Sequence, residues 1–313
     1  MFKRVVALAL NPSLDTTLWI DHFDFSEENM VKEERIDASG KAVNLARTFK
    51  YYGVPSSLIL LIGQFNKHDF LAQLDRENIV YKAIEVEGNT RENISIVQKD
   101  RSVTRIIRRG FAVPYEALEE VKEQLAACVD SETLVMISGA LPDGVSPRSL
   151  RNLCDHIHKL GGSITLDSRS ISLEDICTIK PWAIKPNRAE FEHMVGRPME
   201  SREEIAQEAR KLVEAGVEYC LVSLGGEGLL CVSREGAHFV GAPSVEVRSA
   251  VGSGDSALAG FVKSMMAGRG LENGLKAAVT FGTAACMVDG TQPPRKLTVC
   301  NLLNQVEVTE LSV

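Results

Sequence analysis

Short apolar runs of strand length alternate with helical periodicity along most of this chain, and that alternation is the strongest constraint on its fold. Residues 5–10, 58–62, 134–137, 163–167, 183–185 and 219–223 read as strands. Between and after them, apolar residues recur at helical spacing over 42–52, 68–77, 115–128, 147–160, 188–195, 202–215, 254–268 and 271–288. A strand that is apolar throughout must be covered on both faces, and the amphipathic helices supply that cover. The pattern predicts an α/β body with a doubly wound, mainly parallel sheet. Two stretches break the rhythm. Residues 11–39 are polar and charged, whereas 89–111 alternate through Ile94 and Ile96, then Val103 and Ile106, around Lys99-Asp100, which is the period of a hairpin. We expect these two stretches to form a small antiparallel β lid on a body made of 1–10, 40–88 and 112–313. No helical pattern accompanies the lid, so Ile94, Ile96 and Ile106 would need a partner, and a homodimer through the lid is expected.

Composition narrows the class. The chain has 313 residues, ample for a full α/β core, and its 44% hydrophobic and 25% charged content is that of a soluble globular protein. A net charge of −7 disfavours non-specific binding to nucleic acid or to an acidic membrane. The seven cysteines include no Cys-x-x-Cys pair and are odd in number, which points to reduced thiols and a cytoplasmic setting. No apolar run approaches the length of a membrane-spanning helix.

The tract Ala250-Val251-Gly252-Ser253-Gly254-Asp255-Ser256 falls where a strand pattern ends and a helical one begins. The free N–H groups and partial positive charge of a helix N-terminus suit an anion, and glycines let it approach the backbone closely. An acidic side chain beside such a cradle is repelled by the anion and needs a reason to be there. General-base work on an attacking hydroxyl is one reason; a first-turn Asp acting only as partner of the helix dipole is another. Gly252, Gly254 and Ala257 also fit the dinucleotide fingerprint, but a second helix follows where that motif requires a strand ending in Asp or Glu. No Gly-x-x-x-x-Gly-Lys-Ser/Thr occurs, so any nucleotide is held without a P-loop.

Four further segments carry candidate chemistry. Asp15 follows the first strand at its carboxyl end, where it serves either as an acceptor for sugar hydroxyls or as a turn cap. Ser39-Gly40-Lys41-Ala42-Val43-Asn44 opens the first long helix, with Gly40 permitting close backbone approach and Asn44 pointing back to the same end. Lys185-Pro186-Asn187-Arg188-Ala189-Glu190 has the spacing of a capping box, which explains it without any function. Ser223-Leu224-Gly225-Gly226-Glu227-Gly228 is a strand, a glycine turn and another strand: an ordinary hairpin turn or a backbone wall against a nucleotide.

Taken together, the chain resembles the ribokinase-like, phosphofructokinase-B family of carbohydrate kinases. The resemblance rests on Asn-Pro-x-x-Asp at 11–15, Gly-Lys-x-x-Asn at 40–44, Asn-Thr-Arg at 89–91, Ile-Ser-Gly-x-Leu-Pro at 137–142, Lys-Pro-Asn-x-x-Glu at 185–190, Ser-Leu-Gly-x-x-Gly at 223–228 and Val-Gly-Ser-Gly-Asp at 251–255. It is similar to the hexose-phosphate branch, and Pro181-Trp182 with Ala38-Ser39-Gly40-Lys41 lean toward members acting on fructose 1-phosphate. The resemblance implies transfer of the γ-phosphoryl of ATP, with Mg²⁺, to a ketohexose phosphate: fructose 1-phosphate to its 1,6-bisphosphate, or tagatose 6-phosphate to the corresponding bisphosphate. It implies Asp255 as catalytic base and Gly252, Ser253 and Gly254 as the anion hole. Asp15, Gly40, Lys41, Asn44, Arg91 and Ser138 match sugar-binding positions. Lys185, Asn187, Ser223, Gly225, Gly226 and Gly228 match the nucleotide side, with Glu190 beside Asn187 organising Mg²⁺ through water. Arg91 further suits the substrate's own phosphate, while Arg105, Arg108 and Arg109 read as solvated surface. One departure is Ala42, where the family usually has glycine. Two other readings stay open: a kinase of an unphosphorylated sugar or nucleoside, and a non-catalytic sensor on the same fold.

Overall fold

In the computed structural model, which describes residues 2–311, the chain runs through β1 (Arg4–Ala9) and then departs from the central sheet. β2 (Ser13–Trp19) and β3 (Glu33–Ser39) form the first excursion, and α1 (Lys41–Tyr52), β4 (Ser56–Gly63), α2 (Lys67–Arg76) and β5 (Tyr81–Val86) return from it. β6 (Arg91–Val97) and β7 (Val103–Ile106) form a second excursion before α3 (Tyr115–Ala126). The alternation resumes with β8 (Thr133–Ser138), α4 (Pro147–Lys159), β9 (Ser163–Asp167), α5 (Leu173–Ile179), β10 (Ala183–Ile184), α6 (Arg188–Val195), α7 (Arg202–Glu214) and β11 (Tyr219–Ser223). β12 (Gly228–Ser233), β13 (Gly236–Gly241), α8 (Ser253–Met266), α9 (Gly270–Ala285), α10 (Lys296–Leu303) and β14 (Val308–Leu311) complete the described chain. The ends of the expected body, residues 1 and 312–313, lie outside the described residues.

The central sheet has ten strands in the order β14-β13-β12-β11-β10-β9-β8-β1-β4-β5. From β5 to β11 every pairing is parallel, and β12 to β14 add an antiparallel edge. Successive side chains point to opposite faces of a strand, so β1 divides between two cores. Val6 and Leu8 join the cluster under α3, α4 and α7, while Val5 and Ala7 face the α1, α2, α8 and α9 side. The doubly wound fold expected from the alternation is therefore present. β5 was not among the expected strands. It is an edge strand whose Lys82 and Glu85 interrupt the apolar run that the buried strands show.

Strand order reverses at β1, whose neighbours are β4 on one side and β8 on the other. Open α/β sheets bind ligands at such a switch point, outside the carboxyl ends of the strands. The two excursions meet there as a separate four-stranded sheet, β3-β2-β6-β7. It holds two antiparallel pairs, β2 with β3 and β6 with β7, joined by one parallel seam between β2 and β6. The period of two sorts its residues. Ser13, Asp15, Arg91, Asn93 and Arg105 share the face toward the cleft, and Ile36, Thr16, Ile94 and Ile106 form a row across the opposite face. Ile36 and Ile106 are about half exposed, whereas Ile96, one of the three isoleucines expected to seek a partner, is buried.

Candidate functional site

A cleft of about 850 Å³ opens between this small sheet and the carboxyl ends of the central strands. Its floor is the start of α8. Gly252 caps that helix with φ +77°, a left-handed conformation that favours glycine, and the N–H groups of Gly254 and Asp255 have no backbone partner among the described residues. The Ser253 N–H instead turns back toward the Ala250 carbonyl at 3.4 Å, and its hydroxyl donates to the same oxygen. A Cβ on Gly254 would lie 3.0 Å from Lys185 Nζ, so the ammonium sits directly against the helix start. The result is a positively charged, donor-lined cradle for an anion.

Asp255 is 5% exposed and accepts a 2.8 Å hydrogen bond on Oδ2 from Asn44 Nδ2. Burial pushes its carboxyl up, the nearby Asp167 carboxylate adds to this, and Lys41, the Asn44 bond and Lys185 oppose it; the net position is about 6. Lys41 Nζ donates to Asp167 Oδ1 at 2.9 Å and lies 4.0 Å from Glu190 Oε1, while Lys185 Nζ stands 3.6 Å from Asp167 Oδ2. Burial works against the Lys41 charge, but Asp167 and Asp255 outweigh it and hold the ammonium above its ordinary range. For Asp167 burial likewise works against the charge, and Lys185 and Lys41 outweigh it, holding the carboxyl below the usual range. Two carboxylates and two ammonium groups thus interlock beneath the cradle, and of the two carboxylates only Asp255 carries a raised proton affinity.

On the lid side, Asp15 Oδ1 accepts from Ser13 Oγ and Asn93 Nδ2, both at 2.8 Å, so Oδ2 keeps its accepting capacity for the cleft. Gly40, with φ +115°, lets the chain turn into α1 against the backbone of Pro12, 3.1 Å from where a Cβ would sit. Arg91 donates from Nε to the Pro12 carbonyl and from Nη2 to the Asn11 carbonyl, which leaves both N–H groups of Nη1 and one of Nη2 without a protein partner among the described residues. Burial pushes the Arg91 guanidinium down, and Arg169 and Arg105 push the same way. Arg105 is exposed, as expected, and also borders the cleft, whereas Arg108 pairs with Glu92 and Arg109 faces Asp143 away from it.

On the opposite flank, Asn187 and Glu190 form the capping box of α6, with Glu190 Oε2 accepting from the Asn187 N–H at 3.0 Å and Asn187 Oδ1 accepting from the Glu190 N–H at 2.9 Å. Both residues also line the cleft, as do Ser223, Gly225, Gly226 and Gly228 around the single turn that joins β11 to β12. Of the candidate residues, Ser138 is the one set apart. It is buried at the end of β8 beside Asp167, its hydroxyl has no hydrogen-bond partner, and it is not part of the cleft wall. Ala42 turns its methyl into the apolar cluster between α1 and α2, so the departure from glycine does not fill the cleft. Asp167 was missed as a site residue although a signal existed: a carboxylate at the carboxyl end of a strand in a parallel sheet. Asn93 and Ser13 carried no comparable signal.

The chain is similar over nearly its whole length to known proteins. The description of pfkB family carbohydrate kinases matches residues 8–297. The 1-phosphofructokinase of Escherichia coli (strain K12) is 30% identical over 285 residues, 91% of each chain. The 1-phosphofructokinase of Bacillus subtilis (strain 168) is 28% identical over 309 residues, 98% of this chain and 100% of that one. Among solved structures, phosphofructokinase-2 from Escherichia coli in complex with substrates and products aligns with a TM-score of 0.89 at 25% identity, covering 96% of this chain and 99% of the other. With this cleft and this coverage, the chain belongs to the pfkB family of carbohydrate kinases.

Proposed function

We propose that this carbohydrate kinase transfers the γ-phosphoryl group of ATP to a ketohexose phosphate, with fructose 1-phosphate as the favoured acceptor. The observation that carries the reading is the pairing within one cleft of a buried, raised-pKa Asp255 at an open helix N-terminus with two guanidinium groups, Arg91 and Arg105, on the facing side. Phosphoryl transfer needs positioning and charge neutralisation more than covalent work from the protein. In this reading Asp15 and Asn44 orient the sugar hydroxyls, with Gly40 giving the sugar room at the backbone. Asp255 takes the proton of the attacking hydroxyl as it closes on the phosphorus. The free N–H groups at the start of α8, Gly254 and Asp255, receive the transferring group, and Lys41 and Lys185 balance its charge. Ser223, Gly225, Gly226 and Gly228 offer the nucleotide a backbone wall. Ser138, beside Asp167 but outside the cleft wall, has no part in holding the sugar in this reading.

Among the described residues no cluster of three His, Cys, Asp or Glu side chains could cage a metal ion. A magnesium ion suits this site nonetheless, because it keeps most of its waters and binds through one or two carboxylates together with substrate phosphates. Glu190 is the fitting protein group: one oxygen is spent on the capping box and the other faces the cleft across from Lys41. When bound, Mg²⁺ would neutralise charge on the phosphates.

The lid's uncovered apolar row, Ile36, Ile94 and Ile106, supports a homodimer through that face. Seven free cysteines support a cytoplasmic location, and no helix among the described residues is long and apolar enough to cross a membrane. An ADP-release assay over fructose 1-phosphate, fructose 6-phosphate, tagatose 6-phosphate and free fructose tests the acceptor. Turnover is expected with a ketohexose phosphate and highest with fructose 1-phosphate. Free fructose turned over as well as its phosphates would overturn the phosphosugar reading.

A further inference from the structure

Arg47 lies one helical turn beyond Asn44 on α1 and is 6% exposed, yet the reaction as described gives it no part. Its three nitrogens reach three different elements. Nε donates to Glu77 Oε2 at 2.7 Å just past α2, Nη2 donates to the Ala38 carbonyl of β3 at 2.8 Å, and Nη1 donates to Asn44 Oδ1 at 3.3 Å. We propose that Arg47 is a positioning residue for phosphoryl transfer, fixing the Asn44 amide so that its NH₂ group, and never its carbonyl, faces Asp255.

The argument is one of donors and acceptors. A carboxylate only accepts hydrogen bonds, whereas a protonated carboxyl also donates. A free asparagine beside Asp255 serves both states: its NH₂ donates to the carboxylate, and after a flip its carbonyl accepts from the protonated acid. Arguments from pairing would then leave the proton affinity of Asp255 little changed by Asn44. Arg47 removes the second option, because guanidinium has no acceptor and a flip would set the Asn44 NH₂ against its N–H groups. The Asn44 NH₂ group then bonds more strongly to the ionised form of Asp255 than to the protonated acid, whose own O–H finds no acceptor on the amide, and the ionised form is the one a general base requires. The other groups facing Asp255 are Lys41 at the start of α1, Asp167 at the end of β9 and Lys185 after β10, with Glu190 beyond Lys41. None of them contacts the Asn44 amide, so none can substitute for Arg47 in orienting it. Glu77 and the Ala38 carbonyl hold the guanidinium in place, which ties the amide to α2 and to the root of the lid.

This inference rests on Asp255 acting as the base, and the test separates the two. In Arg47→Met the acid limb of the kcat against pH profile should move upward by about half a unit, so that turnover near pH 6 falls roughly twofold more than turnover near pH 8.5. Arg47→Lys keeps a donor and a positive charge and should lie between Met and the unmutated enzyme; if the Met variant does not fold, the Lys variant carries the test. Titration of the Asp255 carboxyl by carbon NMR, assigned by difference against Asp255→Asn, should show the same upward movement without relying on turnover. An unmoved carboxyl titration and an unmoved acid limb in the folded variants, with kcat or melting temperature lowered evenly at every pH, would leave Arg47 a purely structural brace and overturn the inference. Substantial activity in Asp255→Asn would instead remove the base reading, whatever Arg47 does.

Discussion

The two sheets of this protein are built by opposite rules. Strands of the body such as β1 and β8 are buried nearly throughout, covered by helices on both faces, and contribute to the cleft only with what lies at or past their carboxyl ends. Strands of the lid are half exposed, meet helices only at their root, where Leu14 and Ala38 pack with α1 and α2, and place Asp15, Arg91 and Asn93 from within the strands themselves. The body can therefore hold an electrostatically demanding group such as Asp255, since apolar packing compensates elsewhere for its burial. The lid cannot, and its residues rely on hydrogen bonds to backbone and to one another. In the proposed reading the difference separates chemistry from recognition: the groups for proton transfer and anion binding sit on the packed body, and Asp15 and Arg91 for the acceptor sit on the thin, half-exposed sheet.

The largest expected effect lies on the body side. Asp255→Asn should lower kcat by about 10² to 10⁴, the usual contribution of a general base, with sugar and nucleotide affinity held within a few-fold. The same change should stabilise the fold. Burial raises this carboxyl from 3.8 to about 6, so the folded protein holds the proton more tightly than the unfolded chain does. Its penalty is absent below about pH 4, grows as pH rises, and reaches at most about 3 kcal/mol once the group is ionised above 6. The melting temperature of Asp255→Asn should exceed that of the unmutated protein at pH 8, with the gap closing toward pH 4. A gap of equal size at both pH values would remove the buried charge as its cause.

The lid should respond in binding rather than in chemistry. Arg91→Ala is expected to raise KM for the sugar phosphate at least tenfold, as for loss of a charged hydrogen bond of about 1.5–3 kcal/mol, while KM for ATP barely moves. Equal losses for both substrates would mean that Arg91 serves the fold, through its bonds to the Asn11 and Pro12 carbonyls, rather than the acceptor.

Packing should divide along the same line. Gly260 lies where α8 meets α9, and a Cβ there would stand 2.6 Å from the Ala277 carbonyl and 2.7 Å from the Phe281 ring. Gly260→Ala should lower stability by about 1–3 kcal/mol in a chemical denaturation curve, although alanine is the better helix former. A stabilised variant would show that the helices have room to separate. Ile106→Arg, on the bare face of the lid, should change monomer stability by less than about 0.5 kcal/mol. It should still convert a dimer to monomer in sedimentation. A dimer that survives the charge would move the interface away from the lid.

Legibility in the sequence follows the same split. The body strands could be read because burial on both faces writes an unbroken apolar run, and β5 escaped because its Lys82 and Glu85 face outward at an edge. Glycines at positive φ marked the start of α1 and of α8. Asp167 was legible only as a strand end, because nothing local says that Lys41, 126 residues away, will bind it. The lid's location was legible as a break in rhythm. Its parallel seam was not, since β2 and β6 are joined through α1, β4, α2 and β5 rather than by a turn.

By itself, the sequence determined the class of fold, the positions of the glycine-rich helix start and the identity of the family, because these depend on local spacing and on periodicity along one element. Tertiary structure alone decided which charges meet. Asn44 and Asp255 are 211 residues apart and share a buried hydrogen bond, and Ser138 stands next to Asp167 instead of lining the cleft. Proton affinity in a site of this kind is set by burial and by the charges a few ångströms away, and neither quantity exists until the sheet has brought distant strand ends together.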